Sequence, residues 1–220
     1  MPVQFADRRQ AGQVLAQKLL RYRDDGDVIV LGLPRGGVPV AFEVAQALHA
    51  PLDVFIVRKL GLPGHEEFAM GAIATGGVKV MNPDIAGFHI PEAAIEKVVA
   101  RERSELERRA LLYRGNRPPL SIEDRIVILV DDGLATGSTM LAAATAVRRQ
   151  RPKRIVVAVP VAAAETCQAF RREVDEVVCA ITPEYFRAVG MWYADFGQVS
   201  DAEVHALLDA AWHGESPRAA

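Results

Sequence analysis

The feature that most constrains this chain is the run Ile126-Val127-Ile128-Leu129-Val130, followed at once by Asp131 and Asp132. Five apolar, mostly β-branched residues are too few for a helix and read as a strand buried on both faces. Next come Gly133-Leu134-Ala135-Thr136-Gly137-Ser138-Thr139, then an alanine-rich helical stretch through Arg149. Strand, acidic pair, small-residue loop and helix mark the C-terminal edge of a parallel sheet, where open α/β folds bind ligands.

The loop chemistry narrows the ligand. Thr136, Ser138 and Thr139 offer three hydroxyls, and Gly137 lets the backbone turn so that several N–H groups converge. A helix N-terminus directly behind them suits a phosphate monoester. The adjacent carboxylates suit hydroxyls or a hydrated Mg²⁺. Phosphate, hydroxyls and Mg²⁺ together describe a sugar phosphate. The alternative is a plain βα turn with solvated carboxylates.

Val127–Met140 resembles the signature of the type I phosphoribosyltransferases, which bind 5-phosphoribosyl-1-pyrophosphate (PRPP): an apolar strand, two acids, and Thr-Gly-Ser-Thr at the family's spacing. The resemblance implies a central, mainly parallel, Rossmann-like sheet flanked by helices, with a small hood. It implies that Asp131 and Asp132 hold the ribose hydroxyls, directly or through Mg²⁺. Ala135, Thr136, Gly137, Ser138 and Thr139 would then wrap the 5-phosphate.

A second strand-to-helix turn lies upstream. Asp27–Leu33 reads as a strand, and Pro34-Arg35-Gly36-Gly37-Val38-Pro39 leads into a helix through Leu48. Its glycines match neither a dinucleotide fingerprint nor a Walker loop. A second phosphate group and a tight structural turn both fit. Beside the 131–139 site it resembles the family's pyrophosphate loop, with the backbone of Arg35, Gly36 and Gly37 contacting the leaving group.

Leu52–Val57 reads as an interior strand delivering Arg58 and Lys59 to the glycine-rich run Leu60–Gly64. These two cations either sit on a solvated edge or neutralise a departing pyrophosphate. Val57–Gly64 resembles the corresponding segment of adenine-type phosphoribosyltransferases, where the arginine meets pyrophosphate and a mobile loop begins. Ala69–Thr75 and Val78–Met81 flank Gly76-Gly77 as a β-hairpin. A loop closing over an activated sugar would exclude water. In 6-oxopurine enzymes an acid stands two residues before the Gly of the Thr-Gly pair. Here that position is Ala135, which argues against hypoxanthine or guanine and leaves Glu67 as the candidate proton acceptor.

The remaining elements read as support. Asp7 caps a helix with Gln10 three residues on, and that helix is expected only to pack. Pro91–Arg114 forms a long amphipathic helix whose apolar face includes Ile95, Val98, Val99, Leu106, Ala110 and Tyr113. Strand Arg154–Val161, helix Ala162–Arg172 and strand Glu176–Ile181 follow, then an aromatic segment with Tyr185, Phe186, Trp192, Tyr193 and Phe196, and a last helix from Ser200 to Ala211. Those aromatics can stack on a base or pack a small subdomain. Cys167 and Cys179 are expected as reduced core residues.

The 220 residues suit one phosphoribosyltransferase-like α/β domain spanning 1–220. Residues 60–120 would form a mobile loop, hairpin and long-helix insertion, and 182–212 a hood and terminal helix. A net charge of −2 and no basic cluster argue against nucleic acid. The longest apolar run, Ile155–Ala164, is about half a membrane span. A cytoplasmic enzyme results, taking PRPP, Mg²⁺ and a small nitrogen nucleophile, with a homodimer open. The competing reading is a PRPP-binding regulator without transferase activity.

Overall fold

A computed structural model describes residues 5–82 and 90–214, with only the backbone of Glu67. Five strands form a parallel sheet: β1 (Val28–Gly32), β2 (Leu52–Val54), β6 (Ile126–Val130), β7 (Arg154–Val161) and β8 (Glu176–Ile181), in the order β2-β1-β6-β7-β8. β1 and β6 are neighbours in register, Leu31 opposite Leu129 and Gly32 opposite Val130. Both strands therefore end at the same level, and the two turns that follow them meet.

Alternation along the strands divides the core between two faces. Val28, Val30, Ile128, Val130, Val156 and Ala158 point one way, onto α1 (Arg8–Leu19), α2 (Gly37–Leu48) and α6 (Asp201–His213). Ile29, Leu31, Val127, Leu129, Ile155 and Val157 point the other way, onto α4 (Ser138–Arg148) and α5 (Ala164–Phe170). A sheet covered on both faces explains why its strands read as unbroken apolar runs.

A second, antiparallel sheet holds β3 (Val57–Leu62), β4 (His65–Ala74) and β5 (Val78–Met81). It covers the stretch expected as loop from Leu60 to Phe68. Leu60, Leu62, Met70 and Ile73 bury their side chains with Leu106 of α3 (Glu92–Arg114). That apolar burial, together with the β3–β4 ladder, makes strand the stable state of these residues. The expected hairpin around Gly76-Gly77 is present as β4 and β5, with both glycines at positive φ.

Two further expectations are corrected. The single interior strand 52–57 is two strands in two sheets, and β2 sits at the sheet edge. It nevertheless reads as apolar because that edge is covered: Trp212 of α6 donates its indole N–H to the Leu52 carbonyl at 3.0 Å, and Arg114 of α3 donates to Asp53 at 2.7 Å. Cys167 and Cys179 form a disulfide rather than two reduced thiols, because α5 lies against β8 and brings positions 12 residues apart face to face. Among the described residues no helix is long and apolar enough to cross a membrane.

Candidate active site

Asp131 and Asp132 leave the end of β6 at the centre of the sheet edge, half-buried. Burial pushes both carboxyls above the ordinary carboxylate range. The charge of Asp132 adds to the rise at Asp131, and the Arg8 guanidinium opposes it at Asp132. Two acids this close favour a cation or hydroxyl donors between or beside them, since that relieves both burial and mutual repulsion.

The β1–α2 turn presses directly against the pair. A Cβ on Gly36 would stand 2.0 Å from Asp132 Oδ2, and one on Gly37 would stand 2.6 Å from the Val130 carbonyl and 2.8 Å from Asp131 Cα. The glycines are thus required by close approach. The Pro34–Arg35 peptide is cis. The Leu33 N–H donates to the Val130 carbonyl at 2.9 Å and the Gly37 N–H to the Leu33 carbonyl at 3.0 Å, stitching the turn to β6. Arg35 Nη1 lies 3.9 Å from Asp201 Oδ1, and the Tyr113 hydroxyl donates to that same oxygen at 2.8 Å.

Beyond the acids, Gly133 is held under Val189, whose Cγ1 would lie 2.5 Å from an added Cβ. Gly137 has φ +74°, the left-handed conformation that a side chain disfavours, and it opens α4. Ala135, Thr136, Ser138 and Thr139 are arrayed around it, all four exposed, while Gly137 itself is half-buried. The Thr136 and Ser138 hydroxyls are 3.4 Å apart, and Thr166 donates to the Ala135 carbonyl at 2.7 Å. The result is an open N-terminal turn of a helix ringed by hydroxyls, a geometry that accepts an anion.

The structure therefore unites Arg35–Gly37 with Asp131–Asp132 and Ala135–Thr139. Arg58 belongs to a different arrangement. It lies on β3, and its guanidinium donates to Glu102 Oε2 of α3 through Nε at 2.9 Å and Nη2 at 2.7 Å. Arg101 Nε donates to the other oxygen of Glu102 at 3.0 Å. Lys59, next on β3, is exposed. The root of that sheet is nonetheless at the same edge, because the Phe55 N–H donates to the Gly32 carbonyl at 3.0 Å. The Glu67 side chain lies outside the described residues.

One contributor has no local signal in the sequence. α1, expected only to pack, supplies Arg8, whose Nε donates to Asp132 Oδ2 at 2.9 Å. Arg8 Nη1 donates to the Gly197 carbonyl at 2.7 Å, and the guanidinium carbon lies 3.9 Å from the Phe196 ring centroid. Tyr193, buried beside Phe5 and Phe196, donates its hydroxyl to the Asp132 carbonyl at 2.5 Å. The C-terminal aromatics thus divide their work: Tyr193 packs and anchors, Phe196 carries Arg8, and Tyr185 stands exposed.

A family model described as the phosphoribosyl transferase domain matches residues 5–193. A candidate phosphoribosyl transferase of Mycobacterium tuberculosis H37Rv is 48% identical over 208 residues, covering 94% of this chain. The chain spans only 47% of that relative's length. The crystal structure of TT1426 from Thermus thermophilus superposes with a TM-score of 0.82 at 46% identity, covering 93% of this chain and 97% of that one. The bifunctional protein PyrR of Corynebacterium glutamicum is 29% identical over 152 residues, covering 69% of this chain and 62% of its own.

Proposed function

The chain belongs to the phosphoribosyl transferase domain family, and from that premise we propose that it transfers the 5-phosphoribosyl group of PRPP to a nitrogen nucleophile, releasing pyrophosphate. The observation that carries this reading is the closure of two distant turns on one point: Gly36 and Gly37 pack against Asp131 and Asp132 with no room for a Cβ. A ligand held there can offer ribose hydroxyls to the acids, one phosphate to the α4 turn, and a second phosphate group to the β1–α2 turn.

In this reading Asp131 and Asp132 accept from the 2- and 3-hydroxyls. Ala135, Thr136, Gly137, Ser138 and Thr139 bind the 5-phosphate through N–H groups and hydroxyls, and Arg35, Gly36 and Gly37 bind pyrophosphate through the backbone. Arg58 and Lys59 stabilise its growing charge after exchanging present partners for the leaving group. Residues 60–120 form the insertion over the site and 182–212 the hood, within a single domain spanning 1–220.

The acidic pair also fits Mg²⁺. Among the described residues no three His, Cys, Asp or Glu side chains gather into a metal cluster. Mg²⁺ is commonly held by one or two carboxylates, with waters and substrate oxygens completing its octahedron. When bound, it supplies charge neutralisation at the pyrophosphate and ribose oxygens.

The chemistry asks mainly for positioning and electrostatics. As the C1–O bond breaks, pyrophosphate leaves with the electron pair and positive charge grows on the ribose ring. The two carboxylates favour that cation and fix its hydroxyls. The nucleophile's nitrogen bonds to C1 from the opposite face and loses its proton, for which Glu67 is the proposed acceptor.

Calorimetric titration with PRPP and Mg²⁺, beside Asp131→Asn/Asp132→Asn, tests the reading. Micromolar binding lost in a folded double variant supports it, and pyrophosphate release can then be used to screen acceptors. Failure of the folded wild-type chain to bind PRPP would overturn it.

A further inference from the structure

We infer that Arg8 is a positioning residue for the candidate PRPP site, a rigid strut from α1 that fixes the Asp132 carboxylate and ties it to the C-terminal aromatic segment. The inference rests on the reading that Asp132 holds the ribose, and it assigns to α1 a role beyond packing. Three elements converge on this one acid. Arg8 Nε donates to Oδ2 at 2.9 Å, Tyr193 donates to its main-chain carbonyl, and Gly36 crowds Oδ2 from the pyrophosphate-loop side.

Arg8 is itself immobilised. Its Nη1 donates to the Gly197 carbonyl, its plane lies over Phe196, and its side chain is only 12% exposed. A flexible surface arginine would lose its ion pair to side-chain entropy. A planar guanidinium stacked on a ring and bonded in two directions loses little more on engaging the acid. With Oδ2 taken by Arg8, Oδ1 is the oxygen the strut leaves for the ribose. The strut therefore fixes which way the acid faces and sets the spacing between ribose and the Tyr193–Gly197 segment.

Lysine cannot reproduce this arrangement, because an ammonium is a compact point charge without a fork or a stacking plane. The adjacent Arg9 carries the same charge on the same helix but is exposed and donates to Glu43 at 2.9 Å, so it controls for general electrostatics. A cleft of about 260 Å³ bordered by Arg8, Pro39, Asp195, Gln198 and Glu203 opens beside the guanidinium. A free guanidinium ion can enter from there if the side chain is removed.

The test measures the PRPP dissociation constant with Mg²⁺ by calorimetry for wild type, Arg8→Ala, Arg8→Lys and Arg9→Ala, each with a thermal melt to establish folding. Loss of a charge-assisted bond to the acid predicts affinity weakened by roughly tenfold to a hundredfold in Arg8→Ala. Arg8→Lys should recover only part of it, Arg9→Ala should match wild type, and millimolar guanidinium should restore binding to Arg8→Ala. A merely structural arginine would not show that rescue in a protein that is already folded. Should Arg8→Ala misfold, the Arg8→Lys and Arg9→Ala pair decides the question alone. PRPP binding by wild type that is unchanged or tighter in Arg8→Ala would overturn the strut. No PRPP binding by wild type would overturn both the strut and the proposed function.

Discussion

Gly36→Ala isolates the packing of the two turns from every other effect. Gly36 has φ −61° and ψ −32°, which any residue adopts. On backbone grounds alone, alanine there stabilises by about 0.4–1 kcal/mol by restricting the unfolded chain. The added Cβ, however, would lie 2.0 Å from Asp132 Oδ2 and 2.7 Å from its Cγ. Ordinary contact begins near 3.4 Å, so the carboxylate must retreat by about 1.4 Å, which breaks its 2.9 Å bond to Arg8. Losing a hydrogen bond to a charged group costs about 1.5–3 kcal/mol. The net is a destabilisation of roughly 1–2 kcal/mol, or about 2–8 °C in Tm for a chain this size. PRPP affinity should fall by roughly tenfold or more, because displacing a binding group by about 1 Å disrupts the geometry it serves. Melting curves and calorimetry on the variant, with Gly26→Ala as a control position having nothing within 4 Å, give both numbers. A variant that melts higher than wild type and binds PRPP equally well would refute the close approach of the turns.

Other perturbations reach different parts of the molecule. Arg114→Met should lower stability by about 3–5 kcal/mol in denaturant unfolding, because Asp53, 2% exposed, is left buried without its counter-charge and with only the Val54 and Leu120 N–H groups donating to it. Replacing both partners together should cost much less. Glu102→Ala should free Arg58 from its paired hydrogen bonds, raising the temperature factors or exchange rates of that side chain in a crystal or NMR comparison while α3 stays helical. The Tyr113 hydroxyl is pushed up to about 12, chiefly by burial and then by its bond to Asp201. Its folded form therefore holds its proton longer than the unfolded one. The stability it contributes is complete below pH 10 and is lost as pH rises from about 10 to 12. In Tyr113→Phe that portion of the alkaline loss should disappear from unfolding curves, and an unchanged alkaline slope would refute the assignment.

How much could be read in advance follows from the range over which each feature is encoded. β6 and β7 stand where their apolar runs place them, because a strand covered on both faces needs no partner information to be recognised, and the half-buried edge strand β8 follows from its own β-branched run. The apolar face of α3 follows from its own spacing, and the cap at Asp7 is observed, with its side chain accepting from the Gln10 N–H. The two halves of the candidate site, Arg35–Gly37 and Asp131–Thr139, are legible because turns and helix starts are written in neighbouring glycines, acids and hydroxyls. The β3–β4 ladder is not legible in the sequence because glycines at 61 and 64 imitate a loop, while the burial that makes these residues strands comes from Leu106 on α3.

By itself, then, the amino-acid order determined the α/β class, most element positions and the residue types of the candidate site. Only the tertiary structure decided the strand order that brings Gly36 against Asp132, the covered edge at β2, the Cys167–Cys179 bond, and the turn of Arg58 toward Glu102. It also decided that Arg8, 124 positions before Asp132, enters the site at all. The physical reason is reach. Periodicity and turn chemistry act between residues a few positions apart, whereas an ion pair or a close approach of glycine depends on how whole helices and strands are stacked and rotated.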